Sequence, residues 1–464
     1  MNRKPKIGLL PMYLKLYDDT TPETREAFVP FLKLVADGFI TSGVKVVQAD
    51  ICRLKGEFNQ AVSMFEKDDV DCIVTLHLAY SPSLESVKAL CGTDRPILIL
   101  DTTMDHDFGP GVDSSRIMYN HGIHGVMDLA SVLRRRGKSF MIVSGHISES
   151  NVMERAAAIA HAACAARCFR NTKVLRIGES FKGMGDFSVS EKVLKKVLGF
   201  TVDQIEAEAL ASDVEAISED DITREITLDR DRFVVEVSGE VHRRSVRVGL
   251  GLRRRLEAGG YDAFSMNFLT FNSGKGPVDT VPFLEASKAM ARGIGYAGEG
   301  DVLTAALVGA LLCGFGKTTF TEIFCPDWLG NSLFLSHMGE INPEVAAERP
   351  RLVEKPFPFT PAQNPAVITC APKPGPAVFI NIAPGPDNTF SLIVAPVQVL
   401  DDTANEKMKD SIRGWIRPSR SIQSFLETYS GQGGTHHSAL VLGERLEALR
   451  ALAAFTGIEC HVIQ

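Results

Sequence analysis

The first third of the chain alternates short, uninterrupted apolar runs with amphipathic stretches, and this alternation restricts the fold more than any other feature. The runs are KIGLL from Lys6, VKVVQAD from Val44, CIVTLHLA from Cys72, PILILDT from Pro96 and FMIVSG from Phe140. Strands that are apolar throughout are covered on both faces, the condition of a parallel sheet wrapped by helices. One intervening helix opens at Pro22, with Thr21 as its N-cap. Another, alanine-rich, runs from about Ser148 to Cys168. Doubly wound sheets of this kind bind ligands beyond the carboxyl ends of their strands.

A second α/β unit opens at KVLRIG from Lys173. It continues through a charged stretch near Glu215 to Arg224, a long helix at 240–258 and a strand in YDAFSMNF from Tyr261. Helical patterns follow at 281–292 and 300–313. Beyond TTFTEIF from Thr318 the texture changes. Proline becomes dense in PFPFTPAQNP, and the strand-like runs AVITCAP, AVFINIAP, FSLIVAPVQVL and GWIRP recur without long helices between them. That pattern suits a mainly antiparallel sheet or barrel. A helix at 444–455 is expected to end the chain. The fold class expected is α/β: two doubly wound parallel α/β domains followed by a mainly antiparallel β-rich C-terminal domain. Their expected bounds are 1–170 (flavodoxin-like), 171–325 (carrying the site glutamates) and 326–464 (carrying the site histidines).

A net charge of −7 with scattered basic residues gives no footprint for nucleic acid or an anionic membrane. The runs Arg134-Arg135-Arg136 and Arg253-Arg254-Arg255 read as solvated helix ends. No apolar stretch reaches membrane-spanning length, and Met1-Asn2-Arg3-Lys4-Pro5 leads into a strand without a signal-peptide core, which points to the cytoplasm. The nine cysteines are spread through apolar segments, so neither a disulfide framework nor a thiolate zinc site is expected, and Cys164 and Cys168 read as packing residues on one helix.

Two glycine motifs imitate nucleotide sites. Gly293-Ile-Gly295-Tyr-Ala-Gly298 satisfies the dinucleotide fingerprint, but the sequence before it is helical in pattern, whereas the mechanism needs a strand leading into a helix N-terminus. Gly316-Lys317-Thr318 lacks the leading glycine of a phosphate loop, that position being Leu311. Carboxylates and imidazoles offer better chemistry. Glu299 sits between glycines ahead of a helix, where a first-turn carboxylate is the plain alternative. Glu322 lies inside an apolar strand, where a carboxylate is costly unless paired, metal-bound or facing solvent. His337 has Glu340 three residues on, and GGTHHSAL carries His436 and His437. In a regular strand adjacent side chains alternate, so only one of these two histidines is expected to enter a given pocket. Taken together the set offers mixed oxygen and nitrogen ligands of the kind that hold Mn²⁺ or Co²⁺.

The series GYAGEGDVLTAAL, TTFTEIF, LSHMGEINP and GGTHHSAL resembles the L-arabinose isomerase family, within the L-fucose/L-arabinose isomerase fold. The resemblance implies a metal-dependent aldose–ketose isomerase of an unphosphorylated sugar. It implies that Glu299, Glu322, His337 and His437 bind Mn²⁺ or another divalent ion such as Co²⁺ or Mg²⁺, and that Glu299 and Glu322 move protons through an enediol. His436 becomes a neighbouring substrate-binding residue. Asn120-His121-Gly122-Ile123-His124-Gly125 resembles the family's Asn-Gln-x-x-His-Gly segment, which implies that His124 reaches the site of a neighbouring subunit in a trimer or hexamer. Leu16 and Tyr17 fit the substrate-lining loop after the first strand, and Phe268 an aromatic over the sugar. Leu14 stands where the family has a sugar-touching glutamine, with Lys15 following, so the altered rim sets the choice of sugar apart from the retained centre. The competing readings are an NAD-dependent oxidoreductase, from the glycine motif, and a non-catalytic sugar-binding or regulatory protein.

Overall fold

In the computed structural model, which describes residues 3–464, the apolar runs of the first third form one parallel sheet. Met1 and Asn2 lie outside the described residues. The strands are β1 (Lys6–Met12), β2 (Lys45–Gln48), β3 (Cys72–His77), β4 (Ile97–Asp101) and β5 (Phe140–Ser144), in the order β2-β1-β3-β4-β5. Strands β3 and β4 are buried almost from end to end, as continuous apolar sequence requires. Helices Lys55–Lys67 and Ile123–Arg135 pack on the sheet through Phe58, Phe65, Leu129 and Leu133. Pro22 opens its helix as expected, whereas the Thr21 side chain bonds back to the Tyr17 carbonyl instead of capping.

This sheet belongs to a first compact unit, residues 3–167 together with 447–457. The second unit holds residues 168–446 and 458–464. Its parallel sheet contains β6 (Lys173–Ile177) and β7 (Thr201–Ile205). After the short β8 (Val234–Val235) come β9 (Ala263–Met266) and β10 (Gly295–Gly298), and the order is β10-β9-β6-β7. Next are β11 (Thr318–Asp327), β12 (Ser332–Ser336), β13 (Arg351–Glu354), β14 (Ala366–Thr369), β15 (Gly375–Pro384), β16 (Phe390–Val399), β17 (Gly414–Pro418), β18 (His437–Leu442) and β19 (Glu459–Val462). The sequence β15-β18-β11-β12-β17-β16 closes on itself through β15–β16 pairing, giving an antiparallel barrel. Strand β19 adds to β16 in parallel, so a strand follows the helix expected to end the chain. Glu322 sits in β11, inside the barrel sheet and not in the parallel sheet expected to carry both glutamates, and β11 runs across position 325.

Helix Val302–Phe315 joins the parallel sheet and the barrel of this unit, which also holds a three-stranded sheet in the order β14-β13-β8. It is apolar on all sides and buried along nearly its whole length, the pattern of a helix with no solvent face. Close approach to β10 needs glycine: a Cβ at Gly295 would lie 2.2 Å from the Ala305 carbonyl oxygen. Two of the dinucleotide-like glycines, Gly295 and Gly298, therefore lie in a strand packed under a helix, which removes the feature that suggested a nicotinamide cofactor.

Two expectations from composition change. The Cys168 and Cys313 sulfurs are bonded, linking helix Val152–Asn171 to helix Val302–Phe315. Arg253 is not solvated. It is drawn into a buried network by Glu225 (2.7 Å) and Glu285 (2.9 Å), with Lys288 bridging Glu225 (2.7 Å) and Asp229 (2.5 Å), and His242 on Asp229 (2.9 Å). Charge runs look solvated in sequence because their partners lie on other helices. Among the described residues no helix is long and apolar enough to cross a membrane.

Burial alone would raise the Glu225 carboxyl, but Arg253 and Lys288 outweigh it and hold it down at about 2. A carboxyl depressed by folding stabilises above its ordinary range and loses that contribution as pH falls from about 4.5 to about 2. Glu225→Gln is expected to cost about 3 kcal/mol at pH 7 and to flatten the acid limb of the stability curve. Urea titrations between pH 2 and 7 check this, and an unchanged acid limb would refute it.

Candidate functional site

Strand register assembles the first part of the site. Glu322 in β11 stands directly opposite His437, the first residue of β18, and opposite Ser336, the last residue of β12. Opposed residues of antiparallel strands share a face, with Cβ atoms about 5 Å apart. His337 follows Ser336. A β-bulge lies between Ile323 and Cys325, just past the glutamate, where such bulges commonly re-aim a functional side chain.

The parallel sheet supplies the second part at the carboxyl end of β10. Glu299 has a φ of 62°, in the left-handed region that a non-glycine residue rarely occupies. Its backbone is held on both sides, its N–H donating to the Met266 carbonyl (2.8 Å) and its carbonyl accepting from the Phe181 N–H (2.9 Å). The Glu299 carboxylate then lies 3.4 Å from His437 Nε2 and 3.6 Å from His436 Nε2. Two groups of three offer ligand atoms within 4.8 Å of one another: Glu299, His436 and His437, and Glu322, His337 and His437. His437 is common to both.

Each imidazole is aimed by a carboxylate of its own at Nδ1. His437 meets Asp301 at 3.0 Å, His337 meets Glu340 at 2.8 Å, and His436 meets Asp186 at 2.6 Å. An Nδ1–H donated to a carboxylate leaves the Nε2 lone pair free, the orientation of a metal-ligating histidine. These partners are themselves tied down. Asp301 caps helix Val302–Phe315 by accepting from the Thr304 N–H (2.9 Å), and Glu340 accepts from Tyr296 and from the Gly339 N–H (2.7 Å). Phe187 stacks on His437, with ring centres 5.1 Å apart, and Phe320 meets both His337 and His437 edge-on. Between these rings the Nε2 of His437 is buried with no hydrogen-bond partner, although two glutamates converge beside it. An orphaned nitrogen facing carboxylates is costly in an interior and is satisfied by a cation.

The two glutamates differ electrostatically. Burial opposes ionisation of Glu299, yet the imidazoles of His436 and His437 beside it outweigh burial and hold the carboxyl well below its ordinary range. Burial pushes the Glu322 carboxyl up, against the pull of His337 and His437. Burial likewise disfavours a charged His437, but Asp301 and Glu299 prevail and push the imidazole up to about 10.

Comparison with known proteins agrees with this arrangement. Residues 173–313 match the L-arabinose isomerase central domain and residues 317–459 the L-arabinose isomerase C-terminal domain. L-arabinose isomerase 1 of Bacillus licheniformis is 27% identical over 407 residues, covering 85% of this chain and 81% of its own. L-arabinose isomerase of Geobacillus kaustophilus is 28% identical, covering 84% and 80%, and that of Herpetosiphon aurantiacus 26% identical, covering 94% and 90%. The chain belongs to the L-arabinose isomerase family. The chemistry of that family is aldose–ketose isomerisation, an intramolecular oxidation and reduction.

Of the residues singled out in the sequence, the structure gathers Glu299, Glu322, His337, His436 and His437. The expectation that only one of the paired histidines enters the pocket is overturned. Strand β18 begins at His437, so His436 precedes it and escapes the alternation, and the two rings lie 4.2 Å apart. Phe268 packs 5.7 Å from Phe181, the residue that holds the Glu299 carbonyl. His124, Leu16 and Tyr17 lie in the first unit, where the Tyr17 hydroxyl bonds His121 (3.1 Å), His124 packs edge-on against His121, and Leu16 is largely exposed. Sequence reading missed Asp301, Asp186, Phe187 and Phe320. Only Asp301 left a signal, as an N-cap residue type ahead of an apolar helix.

Gly298 leaves room for the His337 ring, since a Cβ there would lie 2.7 Å from His337 Cε1. Gly298→Ala is expected to displace the imidazole and destabilise the chain by about 1–3 kcal/mol. A denaturant midpoint shift measures this, and a wild-type midpoint would show that the strand end yields instead.

Proposed function

We propose that this protein is a metal-dependent aldose–ketose isomerase acting on an unphosphorylated sugar: L-arabinose, a similar pentose, or a related hexose or 6-deoxyhexose. The observation that carries the reading is the convergence of three carboxylate-aimed imidazoles on Glu299 and Glu322, with the His437 Nε2 buried and unpartnered. Glu299, Glu322, His337 and His437 would hold the ion, Mn²⁺ or another divalent ion such as Co²⁺ or Mg²⁺. Such an ion polarises the sugar carbonyl and its neighbouring hydroxyl.

The remaining work falls to the chain. Two carboxylates whose surroundings push them apart divide acid and base roles. Glu322, raised by burial, is suited to take the proton from C2 and return it to C1. Glu299, held ionised, stays on the oxygen side, where the hydroxyl proton passes from O2 to O1. Phe187 and Phe320 cover the imidazoles and exclude water from them. On this reading Phe268 lies over the sugar, and Leu16 and Tyr17 of the first unit are substrate-binding residues. His124 reaches it from a neighbouring copy, and the assembly is a homo-oligomer, a trimer or hexamer.

Glu322→Gln and Glu299→Gln are each expected to lower kcat by about 10²–10⁴, read as ketose formed from a panel of pentoses, hexoses and 6-deoxyhexoses. Full turnover in both variants would end the assignment. Chelation by EDTA is expected to abolish activity and Mn²⁺ to restore it. Asp301→Asn keeps a good N-cap but removes the carboxylate behind His437, so Mn²⁺ affinity should fall about 10–100-fold with little change in melting temperature. Calorimetric Mn²⁺ titration is the check, and wild-type affinity would refute it.

A further inference from the structure

The loop after β6, residues 178–188, touches the site at two separate places. At its start the Phe181 N–H donates to the Glu299 carbonyl (2.9 Å), and the Ser180 hydroxyl donates to the Gly300 carbonyl (3.3 Å). Gly300 has a φ of 83°, and a Cβ there would lie 2.6 Å from the Ser180 Cα, so loop and glutamate turn are packed backbone to backbone. At its end one Asp186 carboxylate oxygen accepts twice from the same histidine, from the His436 backbone N–H (3.0 Å) and at Nδ1 (2.6 Å). The next residue, Phe187, packs on both imidazoles, with ring centres 5.5 Å from His436 and 5.1 Å from His437.

His436 differs from its neighbours in exposure. His337 and His437 are buried, whereas about a third of the His436 side chain, and of Asp186, reaches solvent. A ligand set of two glutamates and two buried imidazoles is complete without it. A partly exposed imidazole beside that set, with its backbone and Nδ1 both fixed by one carboxylate, has the geometry of a group that meets substrate: an oriented ring with Nε2 3.6 Å from the Glu299 carboxylate.

We propose that Asp186 is a positioning residue which fixes His436 as a hydrogen-bonding partner of the substrate's oxygens and keeps it outside the metal-ligand set. The inference rests on the isomerase reading above. Asp186 acts through His436 alone, while the start of the loop sets the Glu299 turn, so one segment registers the substrate group against the reacting carboxylate. A positioning error of about 1 Å at a reacting centre costs on the order of 10²-fold in rate.

The test compares Asp186→Ala and Asp186→Asn with wild type and with Asp301→Asn, by Mn²⁺ titration, by binding of L-arabinitol to the Mn²⁺-loaded protein, and by kcat and KM for L-arabinose. The alanine variant is expected to weaken L-arabinitol binding at least tenfold and to lower kcat/KM about 10²-fold, with Mn²⁺ affinity within threefold of wild type. The asparagine variant keeps an acceptor for both N–H groups and is expected to recover most of that loss. Mn²⁺ affinity falling in Asp186→Ala as far as in Asp301→Asn would overturn the proposal by making His436 a ligand. Unchanged L-arabinitol binding together with unchanged kcat/KM would overturn it as well. The Mn²⁺ and L-arabinitol measurements need no turnover. A wild-type protein inert toward the whole sugar panel would therefore defeat the isomerase reading separately from this one.

Discussion

The Asp301 carboxylate is the constraint on which the rest of the site depends. One oxygen accepts from the Thr304 N–H and starts helix Val302–Phe315, and the other holds His437 Nδ1. It is fully buried, as is the ring it holds. A buried carboxylate survives only when its acceptor capacity is used, and both oxygens here are committed. Because the helix packs against β9, β10, β11 and β18, its first turn cannot drift without disturbing both the parallel sheet and the barrel. The rotamer of one imidazole is thus tied to the packing of a fourteen-residue apolar helix.

This arrangement separates the tasks of the two sheets. The parallel sheet delivers Glu299 on a turn after β10, at the strand ends where open α/β sheets place their ligands. The barrel delivers Glu322 and His437 by register, with little freedom, since a one-residue slip would turn each to the opposite face, and His337 follows directly on the end of β12. The unfavourable φ of Glu299 belongs to the turn, the one of the two not set by register. It persists because Met266 and Phe181 fix its backbone, and glycines at 298 and 300 let His337 and Ser180 approach closely.

Much of this was legible in the sequence, for physical reasons. Continuous apolar runs bounded by helices marked β1, β3 and β4 with little ambiguity, because burial on both faces leaves few polar residues to blur the pattern. Glu322 stood out because an ionisable group in an apolar strand needs a partner. The carboxylates behind the histidines were not legible. Asp186 lies 250 residues from His436, and Asp301 lies 136 residues from His437. Each is an ordinary polar residue until the fold brings the pair together. Arg253 misled for the same reason, its partners Glu225 and Glu285 lying 28 and 32 residues away on other helices. The alternation argument for the paired histidines failed on a boundary, since β18 starts one residue later than the rule required.

The charge balance of the centre favours cationic company. Five carboxylates surround three imidazoles: Asp186, Asp301 and Glu340 behind the rings, with Glu299 and Glu322 in front. His437 answers with a proton: Asp301 and Glu299 push it up to about 10 although burial disfavours its charge. A proton so held occupies the Nε2 that a divalent ion would use. On the proposed reading the same carboxylates that bind protons in the free centre sharpen the basicity of Nε2 toward a cation. Acid–base chemistry and ion binding therefore draw on one set of buried charges. Asp186 and His436 are partly solvated, and on the proposed reading their geometry serves the sugar while the buried rings serve the ion.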